Sequence, residues 1–139
     1  MTAYVDASVL LRIILQQPNP LPEWRSITHA VSSSVLRVEC LRAIERLGRR
    51  GVLDDGEVAL RKAHLLGLLA SYELVHPDPI VLERAAMPMP TELGTLDAIH
   101  LGTAMLWTEQ CGEPLVLATH DRALANAAQA FGMEIIGRG

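Results

Sequence analysis

Four acidic residues lie in or directly beside apolar segments of the chain. They are Asp6 in TAYVDAS, Glu39 in VLRVECL, Asp97 in TLDAIHLGTA and Asp121 in LATHDRAL. An ionised carboxylate is costly to bury without a partner. Each of the four residues therefore needs a helix cap, an ion pair or a bound cation.

If the four carboxylates lie together, a divalent cation is the partner that suits them. Two carboxylates 4 Å apart repel by about 4 kcal/mol at an effective dielectric of 20, and Lys62, the only lysine, lies in a separate predicted helix. Protonation or arginines would also relieve the repulsion. Ligand sets made only of oxygen favour Mg²⁺ or Mn²⁺ over zinc. Such an ion polarises phosphoryl oxygens and activates water, which makes phosphodiester hydrolysis the natural chemistry.

Strand and helix patterns alternate along the chain, which predicts an α/β domain with a mainly parallel sheet. We predict strands at 2–6, 28–34, 73–77, 113–121 and 133–137. We predict helices at 8–17, 35–51, 53–72, 78–87, from 94 onwards and at 121–131, with a short helical turn near Trp24. The expected N-terminal caps are Ser33 or Ser34, Asp54 or Asp55, and Thr95.

This arrangement predicts that the four acids converge on one edge of the sheet. Ligands of open parallel sheets bind outside the carboxyl ends of the strands. Asp6 and Asp121 follow two such ends, and Asp97 lies in the first turn of its helix. Glu39 lies about one and a half turns into the helix that follows the second strand, within side-chain reach of the same crevice.

The composition is that of a globular protein. With 139 residues, half of them apolar, the chain is most simply a single domain, 1–139. A net charge of −4 argues against a strongly basic, general polyanion-binding surface. Five of the twelve basic residues nevertheless fall in one short segment, as Arg37, Arg42, Arg46, Arg49 and Arg50.

The cysteines and the apolar runs suggest a cytoplasmic protein. Cys40 and Cys111 form neither a CxxC pair nor a zinc-type spacing, so we expect reduced thiols. Asp6 and Arg12 interrupt the only early apolar run, so we expect no signal peptide. The apolar stretches are too short to span a bilayer, and we expect no membrane association.

Four segments in this order resemble the signature segments of PIN-domain ribonucleases, and most closely the VapC-type toxins of toxin–antitoxin pairs. The segments are YVDASVLL, the glutamate of SSSVLRVECLRA, TLDAIHLGTA and LATHDRAL. The resemblance implies a PIN-like three-layer α/β/α sandwich and an acidic pocket that holds Mg²⁺ or Mn²⁺. It also implies endonucleolytic cleavage of RNA, often structured tRNA or rRNA, by a homodimer that a cognate antitoxin keeps inactive.

Carried over by position, the resemblance assigns roles to individual residues. The acidic set, which holds the metal and forms the catalytic centre, is Asp6, Glu39, Asp97 and Asp121. Ser8 and Thr119 match the small hydroxyl residues that support it. Related toxins often carry a basic residue where this chain has Gly94, so the phosphate contact is either missing or supplied by Arg122.

Simpler interpretations of the acids remain open. Asp97 could stabilise the helix dipole, a contribution of about 0.3–1 kcal/mol, and Asp121 could only cap a helix. Glu39 could pair with Arg37 or Arg42. The alternatives for the whole protein are a catalytically silent PIN-like module that binds RNA or protein, and a DNA-directed nuclease of the same fold.

The remaining polar and glycine positions near the acids have ordinary explanations. We interpret His100 and His120 as histidines that hydrogen-bond locally or lie at the rim, although either could act as a base near neutral pH. Gly102 most simply marks close helix packing. The arginine-rich segment could contact RNA, but a solvated helix face explains it as well.

Overall fold

The structure, a computed structural model, describes residues 1–138 and contains a five-stranded sheet. The strands are β1 (Thr2–Val5), β2 (His29–Ser33), β3 (Glu73–Val75), β4 (Val116–Ala118) and β5 (Glu134–Ile136). The helices are α1 (Ala7–Ile14), α2 (Val35–Arg49), α3 (Asp55–Leu69), α4 (Pro79–Ala85), α5 (Thr95–Cys111) and α6 (Arg122–Ala130). A short 3-10 helix spans Trp24–Ser26.

All strand pairs are parallel, in the order β3-β2-β1-β4-β5. The chain starts at the central strand, builds one half of the sheet outward, and returns through α5 to build the other half. β1 and β4 are neighbours, with Val5 opposite Ala118. Their carboxyl ends therefore lie side by side at the point where the strand order reverses, which is where ligands bind in such sheets.

Helices cover both faces of the sheet, so the molecule has three layers. Side chains alternate between faces along a strand, and in β1 Val5 belongs to one buried cluster and Tyr4 to the other. The Val5 cluster packs against α1, α2 and α3, and the Tyr4 cluster packs against α5 and α6. This confirms the predicted α/β/α sandwich, with a sheet that is parallel throughout.

Local sequence accounts for where several helices begin. Asp54 caps α3 in a capping box with Glu57: the Asp54 side chain accepts from the Glu57 N–H at 2.8 Å, and Glu57 accepts from the Asp54 N–H. The prediction that Thr95 caps α5 was wrong. Gly94 is the cap and Thr95 is the first helical residue, because the backbone turns into the helix one residue earlier than side-chain chemistry suggested.

The long helix α5 lies against α4 at short range. A Cβ on Gly102 would lie 3.2 Å from the backbone nitrogen of Ala85, which confirms the expected close packing. Across residues 1–138, every helix is too short or too polar to cross a membrane.

Candidate active site

Asp6 lies in the centre of the site, between the end of β1 and the start of α1. The residue is only 4% exposed, and its carboxylate caps α1 by accepting from the Val9 N–H at 3.3 Å. The Ser8 hydroxyl donates to Oδ1 at 2.6 Å and the Thr119 hydroxyl donates to Oδ2 at 2.7 Å. Burial raises the pKa of Asp6, and the hydrogen bonds from Ser8 and Thr119 oppose that rise.

The two hydroxyls also tie Asp6 to the loop between β4 and α6. Ser8 Oγ accepts from the His120 N–H at 2.9 Å, and Thr119 Oγ1 accepts from the Asp121 N–H at 2.9 Å. Each hydroxyl therefore donates to a carboxylate oxygen and accepts from a backbone amide. Ser8 and Thr119 lie where a supporting role for the acidic set requires them.

Asp121 caps α6, as the simpler interpretation anticipated. Its Oδ1 accepts from the Leu124 N–H at 2.9 Å. Among residues 1–138 its second oxygen has no hydrogen-bond partner. Capping occupies one oxygen and leaves the other for a ligand, so the two roles are compatible.

Asp97 lies in the first turn of α5 and interacts electrostatically with the other three acids. Its pKa is raised to about 6 by burial first, and then by the negative charges of Asp121, Asp6 and Glu39. His100 opposes the rise. A carboxylate whose ionisation three other carboxylates disfavour shares one electrostatic environment with them.

Glu39 has a partner that the sequence did not indicate. Its Oε1 contacts Nε2 of His100, and Nδ1 of His100 lies 2.6 Å from the Tyr4 hydroxyl. His100 is 1% exposed, and the ring centroids of Tyr4 and His100 are 5.6 Å apart in an edge-to-face arrangement. The predicted alternatives, an ion pair with Arg37 or Arg42 and a locally bonded His100, were wrong.

One placement of the protons satisfies every contact in this chain. If Nε2–H of His100 donates to the Glu39 carboxylate, Nδ1 is free to accept from the Tyr4 hydroxyl. Burial raises the pKa of Tyr4, so the phenol keeps its proton. Tyr4 from β1 and His100 from α5 thus hold the side chain of Glu39 from α2.

Two further residues flank the acids. Arg122, the first residue of α6, is exposed and follows Asp121 directly. His120 is half-buried, and its Nδ1–H donates to the Gly137 carbonyl at 2.6 Å. Its partner lies 17 residues further along the chain, so the expected local hydrogen bond was wrong, and the half-buried ring agrees with the other interpretation, a residue at the rim.

The donor chemistry of the site fits a divalent cation, although its side chains are not assembled around one. In residues 1–138, no three acidic, histidine or cysteine side chains lie close enough together to bind a single ion. Hydroxyls occupy both oxygens of Asp6, and His100 contacts Glu39. Burial raises the pKa of Asp97, and the negative charges of Asp121, Asp6 and Glu39 raise it further; a cation would offset both effects. An ion held by several of these acids would require their side chains to lie closer together than they do here.

Comparisons with known proteins show the family and the fold of this chain. The family model of the PIN domain matches residues 3–130. Ribonuclease VapC46 of Mycobacterium tuberculosis is 36% identical over 136 residues, which cover 96% of this chain and 95% of the relative. Two solved structures share the fold. FitAcB from Neisseria gonorrhoeae has a TM-score of 0.66 and 15% identity, and covers 98% of this chain and 96% of its own. VapBC-5 of M. tuberculosis, a member of the VapBC family of toxin–antitoxin systems, has a TM-score of 0.59 and 18% identity, and covers 99% and 98%.

Proposed function

Because the chain belongs to the PIN-domain family, we propose that it is a metal-dependent endoribonuclease and the toxin of a toxin–antitoxin pair. The observation that carries this proposal is that Asp6 and Asp121 follow the adjacent carboxyl ends of β1 and β4, where the Thr119 hydroxyl donates to Asp6 and accepts from the Asp121 N–H. Burial raises the pKa of Asp97, and the charges of Asp121, Asp6 and Glu39 raise it further, so the four acids share one environment. The name of the relative Ribonuclease VapC46 supports RNA as the substrate.

Asp6, Glu39, Asp97 and Asp121 would hold Mg²⁺ or Mn²⁺. When bound, such an ion polarises the phosphodiester and lowers the pKa of an attacking water. Two of the four acids are held in place by hydrogen bonds, and Asp97 is not. Hydroxyls hold Asp6, and His100 holds Glu39. Asp97 has no side-chain hydrogen bond among the described residues and can turn toward an ion.

The partners follow from the same proposal. We propose structured tRNA or rRNA as substrate, a cognate antitoxin that blocks the site, a homodimer, and action in the cytoplasm. Arg122 lies next to Asp121 at the rim, where a guanidinium would contact a substrate phosphate. Toxin–antitoxin assemblies among proteins of the same fold support an antitoxin partner.

Cleavage of cellular RNA by the purified protein tests the proposal. We expect discrete fragments with Mg²⁺ or Mn²⁺, none with EDTA, and none from Asp97→Asn. The matched control is Asp55→Asn, which removes an exposed aspartate from the first turn of another helix, α3. This control should cut like the wild type.

Other outcomes would overturn the proposal. Intact RNA alongside metal-dependent cutting of DNA would establish a DNA-directed nuclease of the same fold. Intact RNA and DNA, with a folded protein that still binds the ion, would establish a catalytically silent module. Full activity of Asp97→Asn would remove Asp97 from the catalytic centre.

A further inference from the structure

A cleft between α1 and α2 leads away from the acidic residues, and arginines line it. Its volume is about 510 Å³. Ser8, His120 and Asp121 line the end at the active site, and Arg12, Arg46 and Arg50 line the rest. We call this the arginine cleft.

A second, smaller cleft of about 400 Å³ joins the arginine cleft on its Glu39 side. Glu39 and Arg42 line it, and Arg46 lines both clefts. The two clefts therefore form one path that passes both Glu39 and Asp121. Any polymer that lies along this path also meets the acidic centre.

Arg42 and Arg46 of α2 and Arg50, which caps its C-terminus, form a row along this path. Arg42, Arg46 and Arg50 are spaced four residues apart, which places them on one side of the helix, and each step rises about 6 Å. Over residues 1–138, these three guanidinium groups have no acidic partner within 4 Å. Like charges at this spacing repel each other, so the row is unfavourable unless an anion lies beside it.

Arg49 shows what an ordinary surface arginine does on the same helix. It pairs with Glu45 at 2.9 Å, one turn earlier, and does not line either cleft. A favourable interaction with the negative end of α2 explains a cation in the last turn. It does not explain Arg42 in the middle of α2. Arg12, across the cleft, lies in the last turn of α1 and donates to the Asn19 carbonyl at 2.9 Å, so the argument for an anion rests on the α2 side of the cleft.

On this basis we infer that the arginine cleft binds the phosphate backbone of the RNA strand and leads it into the acidic centre. This inference rests on the proposed ribonuclease activity. Guanidinium groups suit phosphate oxygens because they donate two parallel hydrogen bonds. The other lining residues are mostly aliphatic, such as Leu11, Leu15 and Leu47, and Phe, Tyr and Trp are absent from the described lining. The cleft therefore contacts the backbone rather than stacked bases.

Salt-dependent RNA binding tests the inference without cleavage. A labelled single-stranded RNA is titrated with the protein in EDTA at several salt concentrations. The double variant Arg46→Ala/Arg50→Ala should bind on the order of tenfold more weakly, at about two- to fivefold per exposed ion pair. Its plot of log K against log salt should be less steep by about 1.4, or about 0.7 for each phosphate that an arginine no longer neutralises. The weakening should be similar for RNAs of different sequence.

The control Arg49→Ala removes one arginine, half the charge that the double variant removes, from the neighbouring side of α2. It should keep the affinity and the salt slope of the wild type to within a small long-range effect. Equal weakening in the double variant and in Arg49→Ala would overturn the inference. All three side chains are exposed, so these substitutions should leave folding intact, and thermal unfolding of each variant checks this.

Cleavage assays on the same proteins separate this inference from the proposed function. If the protein cleaves RNA in a metal-dependent way but the double variant binds RNA as tightly as the wild type, the role of the arginine cleft is wrong and the proposed ribonuclease activity stands. If RNA binding depends on Arg46 and Arg50 but no RNA is cleaved, the cleft binds RNA and the proposed ribonuclease activity is wrong. If a poly-glutamate peptide binds with the arginine dependence expected of RNA and RNA does not, the cleft serves a protein partner and the inference fails.

Discussion

Asp97→Asn should stabilise the metal-free protein, although it removes a charge that would favour the start of a helix. The pKa of Asp97 is raised from 3.8 to about 6 by burial and by neighbouring carboxylates. A shift of this size corresponds to about 3 kcal/mol at 1.36 kcal/mol per pKa unit. Because Asp97 is only half-buried, water and salt screen part of this cost, and we expect a gain of about 1 kcal/mol.

The pH dependence of this gain follows from the direction of the shift. Below the pKa of the unfolded chain, Asp97 is protonated in both states and the substitution changes little. Between that pKa and about 6, the unfolded chain ionises Asp97 first, so the wild type loses stability as the pH rises. Above the folded pKa the difference is constant. The gain from Asp97→Asn should therefore grow between about pH 4 and pH 6, and then level off.

Thermal or urea unfolding in EDTA across this pH range measures the effect. For a chain of 139 residues, 1 kcal/mol corresponds to a change in Tm of about 3 °C. The control Asp55→Asn should show the opposite sign, a loss of about 0.3–1 kcal/mol, because Asp55 favours the start of α3. Added Mg²⁺ or Mn²⁺ should stabilise the wild type but not Asp97→Asn. A loss of stability in Asp97→Asn at neutral pH would refute the shared electrostatic site and leave Asp97 as a dipole residue.

Three further substitutions test the hydrogen bonds and the backbone around the acids. Thr119→Val leaves an oxygen of buried Asp6 without its donor, so urea unfolding should show a loss of about 1–3 kcal/mol that Thr119→Ser does not share. Tyr4→Phe removes the hydroxyl that orients His100. The affinity for Mn²⁺, measured by thermal shift, should fall about tenfold. An unchanged affinity would show that this hydroxyl does not position the site. Gly137→Ala should cost about 1–2 kcal/mol, because φ is +88° and a Cβ would lie 2.9 Å from the Thr119 carbonyl; an unchanged Tm would contradict this.

Most of the fold could be predicted from local patterns. Alternating and fully apolar runs indicated all five strands, and acidic caps such as Asp54, Asp78 and Asp121 lie directly before helices. The ends of α3 and β4 were predicted a few residues too long. After Ala118 the chain leaves the sheet, because Thr119 hydrogen-bonds to Asp6 and Asp121 caps α6. The strand order could not be predicted from local patterns, because it depends on where α5 returns the chain to the sheet.

Part of the candidate site could also be predicted from local patterns. Asp6 and Asp121 follow strands, and the ends of parallel strands meet at one edge whatever the details of packing. The partner of Glu39 was not predictable. His100 is 61 residues away, and their contact depends on how α2 and α5 are rotated about their axes. Tyr4 reads as an ordinary core aromatic until its hydroxyl is seen to contact His100.

The site divides into acids that the fold holds and acids that it leaves adjustable. Asp6 accepts from two hydroxyls and a backbone amide, and Glu39 is held by a buried histidine. Asp97 has no such partner, and Asp121 uses one oxygen for its helix. Burial and the charges of the other three acids raise the pKa of Asp97 to about 6, and Asp97 lacks the hydroxyl donors that oppose the same rise at Asp6. A bound cation would favour the ionised form of Asp97, which burial and repulsion disfavour in the metal-free protein. Folding stability, its pH dependence and metal affinity should therefore all change when Asp97 is replaced.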